Sequence, residues 1–156
     1  EPLFIKWPGI TADGKICHEP VIGHDLYPTI MKMAGITEKV DVDGIDITPL
    51  LRNSEGKIER EALHWLSFPI AVHHFHCPNR KPAGAIIMDD WKLIELMETP
   101  QGLIHHYELY NLKEDPGEQF DISGDYPEIV ELLKNKMMNW RKEVNAPVYN
   151  MSMYDN

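Results

Sequence analysis

Residues 85–96 read Ala85-Ile86-Ile87-Met88-Asp89-Asp90-Trp91-Lys92-Leu93-Ile94-Glu95-Leu96, two apolar runs separated by a pair of aspartates. Short runs rich in Ile, Leu and Trp and bounded by turn formers read as strands, and so close a spacing makes them one hairpin even without glycine. A further strand, His106 to Tyr110, follows the Thr99-Pro100-Gln101-Gly102 turn, and another, Leu63 to Phe68, precedes the hairpin and is closed by Pro69. Lys113-Glu114-Asp115-Pro116-Gly117-Glu118 is a turn-rich linker, after which the longest helix starts near Asp125. Asp125 with Glu128 three residues on makes a capping-box pattern. Ile129, Leu132, Leu133, Met137, Trp140 and Val144 recur at helical spacing, one apolar stripe within a helix over 126–144 that belongs across a sheet face.

Upstream, the pattern changes. Leu3-Phe4-Ile5-Lys6-Trp7, stopped by Pro8-Gly9, reads as a buried strand, and an apolar run so near a first residue other than Met suggests a boundary inside a longer chain. Asp25 to Gly35 reads as a short helix, with Asp25 as N-cap, Pro28 in the first turn, Leu26, Ile30 and Met33 on one face and Gly35 past the end. Asp43-Gly44 marks a turn, Ile47 to Leu51 one helical turn, and Arg52 to Glu61 a polar connector. The expected division is therefore 1–61 and 62–156.

Composition excludes several classes. Of 156 residues 43% are hydrophobic and 26% charged, the range of ordinary globular chains. No apolar stretch approaches the ~20 residues of a bilayer span, and no secretory leader opens the chain. A membrane is therefore not an expected partner. The net charge of -10 repels nucleic acid at long range, and an anionic substrate would need local Lys, Arg or His. Cys17 and Cys77 lack the spacing of a disulfide framework or a structural zinc site.

Several segments, in this order, resemble the end of the sulfatase family of the alkaline-phosphatase-like superfamily. Pro2-Leu3-Phe4-Ile5-Lys6-Trp7-Pro8-Gly9 is similar to the family's "vPlii-WPG" strand. Asp25-Leu26-Tyr27-Pro28-Thr29 with Ala34-Gly35-Ile36 is similar to its "DlxPT...AGi" helix, and Asp43-Gly44-Ile45-Asp46 with Pro49-Leu50-Leu51 to its "DGxsl-pLL" element. Trp91-Lys92-Leu93-Ile94, Glu108-Leu109-Tyr110-Asn111-Leu112 and Asp115-Pro116-Gly117-Glu118 resemble "yKLi" and "ELYnLxxDPxE". The resemblance implies an α/β fold: residues 1–61 would end an alkaline-phosphatase-like α/β core, and residues 62–156 would form a C-terminal subdomain of short antiparallel sheet packed against a long helix.

The same resemblance implies hydrolysis of sulfate esters by a formylglycine, made from the Cys or Ser of a C-x-P-S-R motif, beside calcium or magnesium. Neither Cys17 nor Cys77 is followed by that motif. No catalytic residue and no metal ligand is therefore assigned here; formylglycine and calcium (or magnesium) are expected in the full-length parent, and this piece alone is expected to be inactive. The expected substrate is a sulfated carbohydrate or an aryl sulfate. A periplasmic or secreted location would follow if a signal peptide lies upstream.

The histidine-rich stretch between Ile70 and Pro82 carries the candidate site. His73-His74-Phe75-His76-Cys77 offers four metal-ligating side chains in five residues, but adjacent residues rarely converge on one ion. Relatives resemble "WHyPHy" here, whereas Trp65 is followed by Leu66-Ser67-Phe68-Pro69. His73, His74 and His76 are the candidates to replace those histidines at the substrate, and Arg80 offers a guanidinium fork suited to a tetrahedral oxyanion. Each competes with a solvated surface role. Asp89-Asp90 and Asp41/Asp43 are read as turn residues, and His105-His106 as the start of a strand near a turn, with no nucleophile to pair with. The rival functions are a remnant that binds a sulfated glycan or a protein without chemistry, and part of a related phosphodiesterase. An exposed apolar edge at residues 2–7 would favour a homo-oligomer.

Overall fold

The computed structural model describes residues 2–38, 41–67, 82–98 and 104–146. The chain is of mixed α/β type and divides into two compact units, residues 1–60 and 61–156.

In the first unit a 3-10 turn over Gly23–Asp25 leads into α1 (Leu26–Met33), and α2 (Thr48–Arg52) follows. The α1 C-terminus closes as a Schellman motif. Ile36 N–H donates to Met31 O and Gly35 N–H to Lys32 O, with Gly35 at φ +75°, a conformation cheap only for glycine. Asp25 stands at the N-cap position of α1, but its side chain makes no capping hydrogen bond to that helix. It is fully buried, and its carboxylate accepts Ile22 N–H (2.9 Å), Ile45 N–H (2.9 Å) and the Arg60 guanidinium, so it ties three separate segments together. Thr29 extends the tie: its hydroxyl donates to Asp25 O and accepts Ile47 N–H. The covered face of α1 thus runs through Leu26, Thr29 and Met33, while Ile30 points outward at 61% exposure. Gly44 is required because a Cβ there would lie 2.0 Å from His24 O.

Residues 3–7 are not a strand. A strand needs a ladder, and none of the described residues pairs with them; Phe4 is 89% exposed. Trp7 instead opens a turn, its carbonyl accepting Ile10 N–H and Thr11 N–H, and the Arg52 guanidinium stacks over its ring at 5.4 Å.

The second unit is an antiparallel meander of four strands in the order β1-β2-β3-β4: β1 (Leu63–Ser67), β2 (Ala83–Met88), β3 (Trp91–Glu98) and β4 (Ile104–Asn111). Asp89, at φ +52°, makes the tight β2–β3 turn. Alternation puts Ile86, Leu93 and Leu109 on one face, and α3 (Pro127–Glu143) covers it with Leu133 and Met137; all five are completely buried. The helix begins one residue later than a cap at Asp125 requires: Tyr126 is the N-cap, Pro127 occupies the first turn, and no side chain caps the end. The buried stripe is Ile129, Val130, Leu133, Met137 and Trp140, whereas Leu132 and Val144 are exposed, because the helix meets the sheet along a narrower face than the sequence pattern offers.

The Trp91-Lys92-Leu93-Ile94 and Asp115-Pro116-Gly117-Glu118 segments are joined. Lys92 Nζ bonds both carboxylate oxygens of Glu118 (2.7 and 2.6 Å), while Asp115 accepts Gln119 N–H and Phe120 N–H. Asp121 accepts Leu109 N–H, and Ile122 N–H donates to Leu109 O, which covers the open edge of β4. These motif residues build the scaffold.

Candidate functional site

Ser67 at the end of β1 pairs with Ala83 at the start of β2, Ala83 with Leu96, and Leu96 with His106. One end of the sheet therefore carries both the departure points of the 68–81 connection and the start of β4. His73, His74, His76 and Arg80 belong to that connection and lie outside the described residues, as does Cys77. What the structure fixes is the base from which they spring.

At that end, on the face covered by α3, sits a polar cluster that sequence reading did not find. Glu95 follows Leu93 and precedes Met97 at the inward positions of β3, and it is completely buried. A buried carboxylate is tolerated only when paired and hydrogen-bonded. Arg141, one helical turn past Met137 on α3, meets Oε2 of Glu95; His105 Nδ1 lies 2.6 Å from Oε1, and the Tyr107 hydroxyl donates to the same oxygen at 3.1 Å. Opposite Glu95 stands Gly84, where a Cβ would come 2.3 Å from Arg141 Nη2 and 3.1 Å from Glu95 Oε2. The glycine leaves the space in which the ion pair forms. The sequence signal was a glutamate in an inward period-2 position of an otherwise apolar strand, with an arginine in register on the helix.

Burial alone would raise the Glu95 carboxyl, but the Arg141 hydrogen bond and charge, with His105 and Tyr107, outweigh it and hold the group below the usual carboxylate value. Tyr107 is pushed up to about 12 by burial and by Glu95, so its hydroxyl keeps its proton. Nearer β1, His64 stacks on Trp140 (4.8 Å between centroids, 9° between planes), and its Nε2 is buried without a partner. Burial lowers its pKa, against the opposing pull of Glu61 and Glu143. It is a half-buried ring whose environment favours the neutral form.

Among the described residues no three of His, Cys, Asp and Glu converge as a metal site. A cleft of ≈ 780 Å³ in the first unit is lined by apolar side chains such as Phe4, Ile16 and Leu50 together with Lys15, Glu19, Arg52 and Glu55. The buried polar cluster nearest the 68–81 connection is the one at the sheet end.

The fold and this scaffold are those of the C-terminal part of sulfatases. The family model N-sulphoglucosamine sulphohydrolase, C-terminal, matches residues 1–143, and the chain belongs to that family. It is 30% identical to human (Homo sapiens) arylsulfatase A, covering 86% of this chain and 29% of that protein. It is 26% identical to arylsulfatase K of Rattus norvegicus over 98% of this chain and 26% of the relative. The chain thus spans between a quarter and a third of the length of these relatives. Among solved structures, BT4656 in complex with its substrate D-glucosamine-2-N,6-O-disulfate superposes with a TM-score of 0.59 at 27% identity, over 79% of this chain and 24% of that one. Ps i-CgsB in complex with k-i-k-neocarrahexaose gives 0.64 at 26% identity, over 86% and 27%.

Proposed function

We propose that the full-length protein carrying this chain hydrolyses sulfate esters of carbohydrates, and that this chain completes its fold and forms one wall of the substrate pocket. The observation that carries the reading is the family match over residues 1–143, supported by structural relatives whose solved complexes hold saccharides. In this reading His73, His74, His76 and Arg80 reach the substrate from the 68–81 connection, imidazoles and a guanidinium supplying the local donors that an anionic sugar needs on a chain of net charge -10. In this reading the metal and the formylglycine that the family resemblance implies are held by other parts of the full-length protein, and no step of the reaction is assigned to this chain's own groups. Its residues bind and orient.

The test is sulfate release by the full-length protein from an aryl sulfate and from D-glucosamine-2-N,6-O-disulfate, with the isolated chain as the comparison. Turnover by the full-length protein and none by the chain is the expected result. Absence of turnover on every sulfate ester, with retained binding of the sulfated sugar, would replace hydrolysis by the non-catalytic reading. Alanine at His73, His74, His76 or Arg80 is expected to raise KM; an unchanged KM in all four would remove them from the pocket wall.

A further inference from the structure

Glu95 is completely buried, and three side chains converge on its carboxylate: Arg141 on Oε2, His105 and Tyr107 on Oε1. An ionised carboxylate accepts hydrogen bonds and cannot donate them, so the hydrogen between His105 Nδ1 and Glu95 Oε1 belongs to the imidazole. That assignment fixes the tautomer. A neutral His105 carries its proton on Nδ1 and leaves Nε2 as a lone-pair acceptor. The ring also has a fixed direction, because turning it over would abandon the 2.6 Å contact with a buried charge.

The other edge of the same ring is open. The His105 side chain is 40% exposed while its partner is wholly buried, and Nε2 has no hydrogen-bond partner among the described residues. His105 opens β4 at the sheet end from which the 68–81 connection departs. An imidazole anchored through one nitrogen by a buried carboxylate keeps one orientation and one tautomer, and its partly exposed ring leaves the second nitrogen available to a ligand. The charges around it are balanced in pairs. Arg141 matches the charge of Glu95, and Lys134, itself paired with Glu131, lies 5.6 Å over the Tyr107 ring on the same face. Glu108, near His106, is on the opposite face of β4.

We propose that His105 is a specificity-determining residue whose Nε2 accepts a hydrogen bond from a hydroxyl group of the sugar in a sulfated carbohydrate, and that Glu95 is the residue that positions it. The proposal rests on the reading of the full-length protein as a carbohydrate sulfatase. It adds a residue on β4, outside the histidine-rich connection, and it separates saccharide from aryl substrates, since a simple aryl sulfate has no sugar hydroxyl to offer.

Two measurements test it. The first is long-range nitrogen-15 NMR of the histidine rings in the 156-residue chain, above the ordinary imidazole pKa range. His105 is expected as the pure Nδ1-protonated tautomer, and Glu95→Gln is expected to mix the two forms; an Nε2-protonated ring in the parent sequence would overturn the positioning. The second is kinetics of the full-length protein. His105→Ala should raise KM for D-glucosamine-2-N,6-O-disulfate about three- to tenfold, the worth of one neutral hydrogen bond, with kcat and the KM for an aryl sulfate unchanged. Glu95→Gln should raise the saccharide KM by a smaller factor. An unchanged saccharide KM in His105→Ala, or an equal loss on both substrates, would overturn the contact. Should the full-length protein hydrolyse no sulfate ester, the functional reading fails by itself. Addition of the disulfated glucosamine to the full-length protein, labelled on its histidines, then decides the contact: a shift of His105 Nε2 sustains it, and no shift overturns it.

Discussion

Replacing Arg141 with Met should destabilise the unit of residues 61–156 by about 3 kcal/mol. Removing one member of a buried ion pair costs about 3–5 kcal/mol, because the remaining charge is left in a medium that cannot solvate it. Two features place this pair at the lower end. Arg141 keeps 16% of its side chain exposed, and His105 and Tyr107 continue to bond Glu95 after the guanidinium is gone. For a unit of this length each kcal/mol corresponds to about 4–8 °C, so Tm should fall by about 12–24 °C. Urea unfolding followed by tryptophan fluorescence reports it, since Trp140 immediately precedes the substituted residue. The double variant Glu95→Leu with Arg141→Met replaces both charges by apolar groups and should recover to within about 1 kcal/mol of the parent. A single-variant cost below about 1 kcal/mol, or a double variant as unstable as the sum of the singles, would refute the account of the pair as mutually dependent.

Three other outcomes follow from the same geometry. Gly84→Ala places a methyl 2.3 Å from Arg141 Nη2 and should cost about 1–3 kcal/mol by equilibrium unfolding; in the Glu95→Leu, Arg141→Met background, where the clashing head groups are gone, the cost should shrink. His64 has its pKa lowered from 6.5 in the folded chain, so between that lowered value and 6.5 the unfolded state binds more proton, and stability that is whole above 6.5 declines as pH falls through this window. His64→Phe, which keeps an aromatic ring on Trp140, should flatten that decline in unfolding curves taken across the window. Asp25→Ala removes the acceptor of Ile22 N–H and Ile45 N–H and strands Arg60, and a loss of about 3 kcal/mol is expected, read as faster hydrogen exchange at the Ile22 and Ile45 amides.

The local grammar of the sequence was enough to place the hairpin at Asp89-Asp90, the helical turn at Thr48–Arg52 and the long helix, because each depends on residues close in the chain: turn formers, period-2 runs and period-3.6 stripes. The family was legible for a related reason. Segments such as Glu108-Leu109-Tyr110-Asn111-Leu112 and Asp115-Pro116-Gly117-Glu118 stand in the order of the family's motifs, and in the structure Glu118 bonds Lys92 and Leu109 bonds Asp121. Sequence reading stopped where partners are far apart in the chain. Asp25 looked like a helix cap because its neighbours suit one, yet Ile45 and Arg60 claim its carboxylate. Leu3 to Trp7 has strand composition, but a ladder is a property of two segments and not of one. Leu132 and Val144 fit the helical stripe, and only the width of the sheet face that α3 meets leaves them in solvent. Glu95 is the clearest case: whether a glutamate in an apolar strand is an error or an anchor depends on an arginine 46 residues away and on a glycine across the ladder that makes room for both.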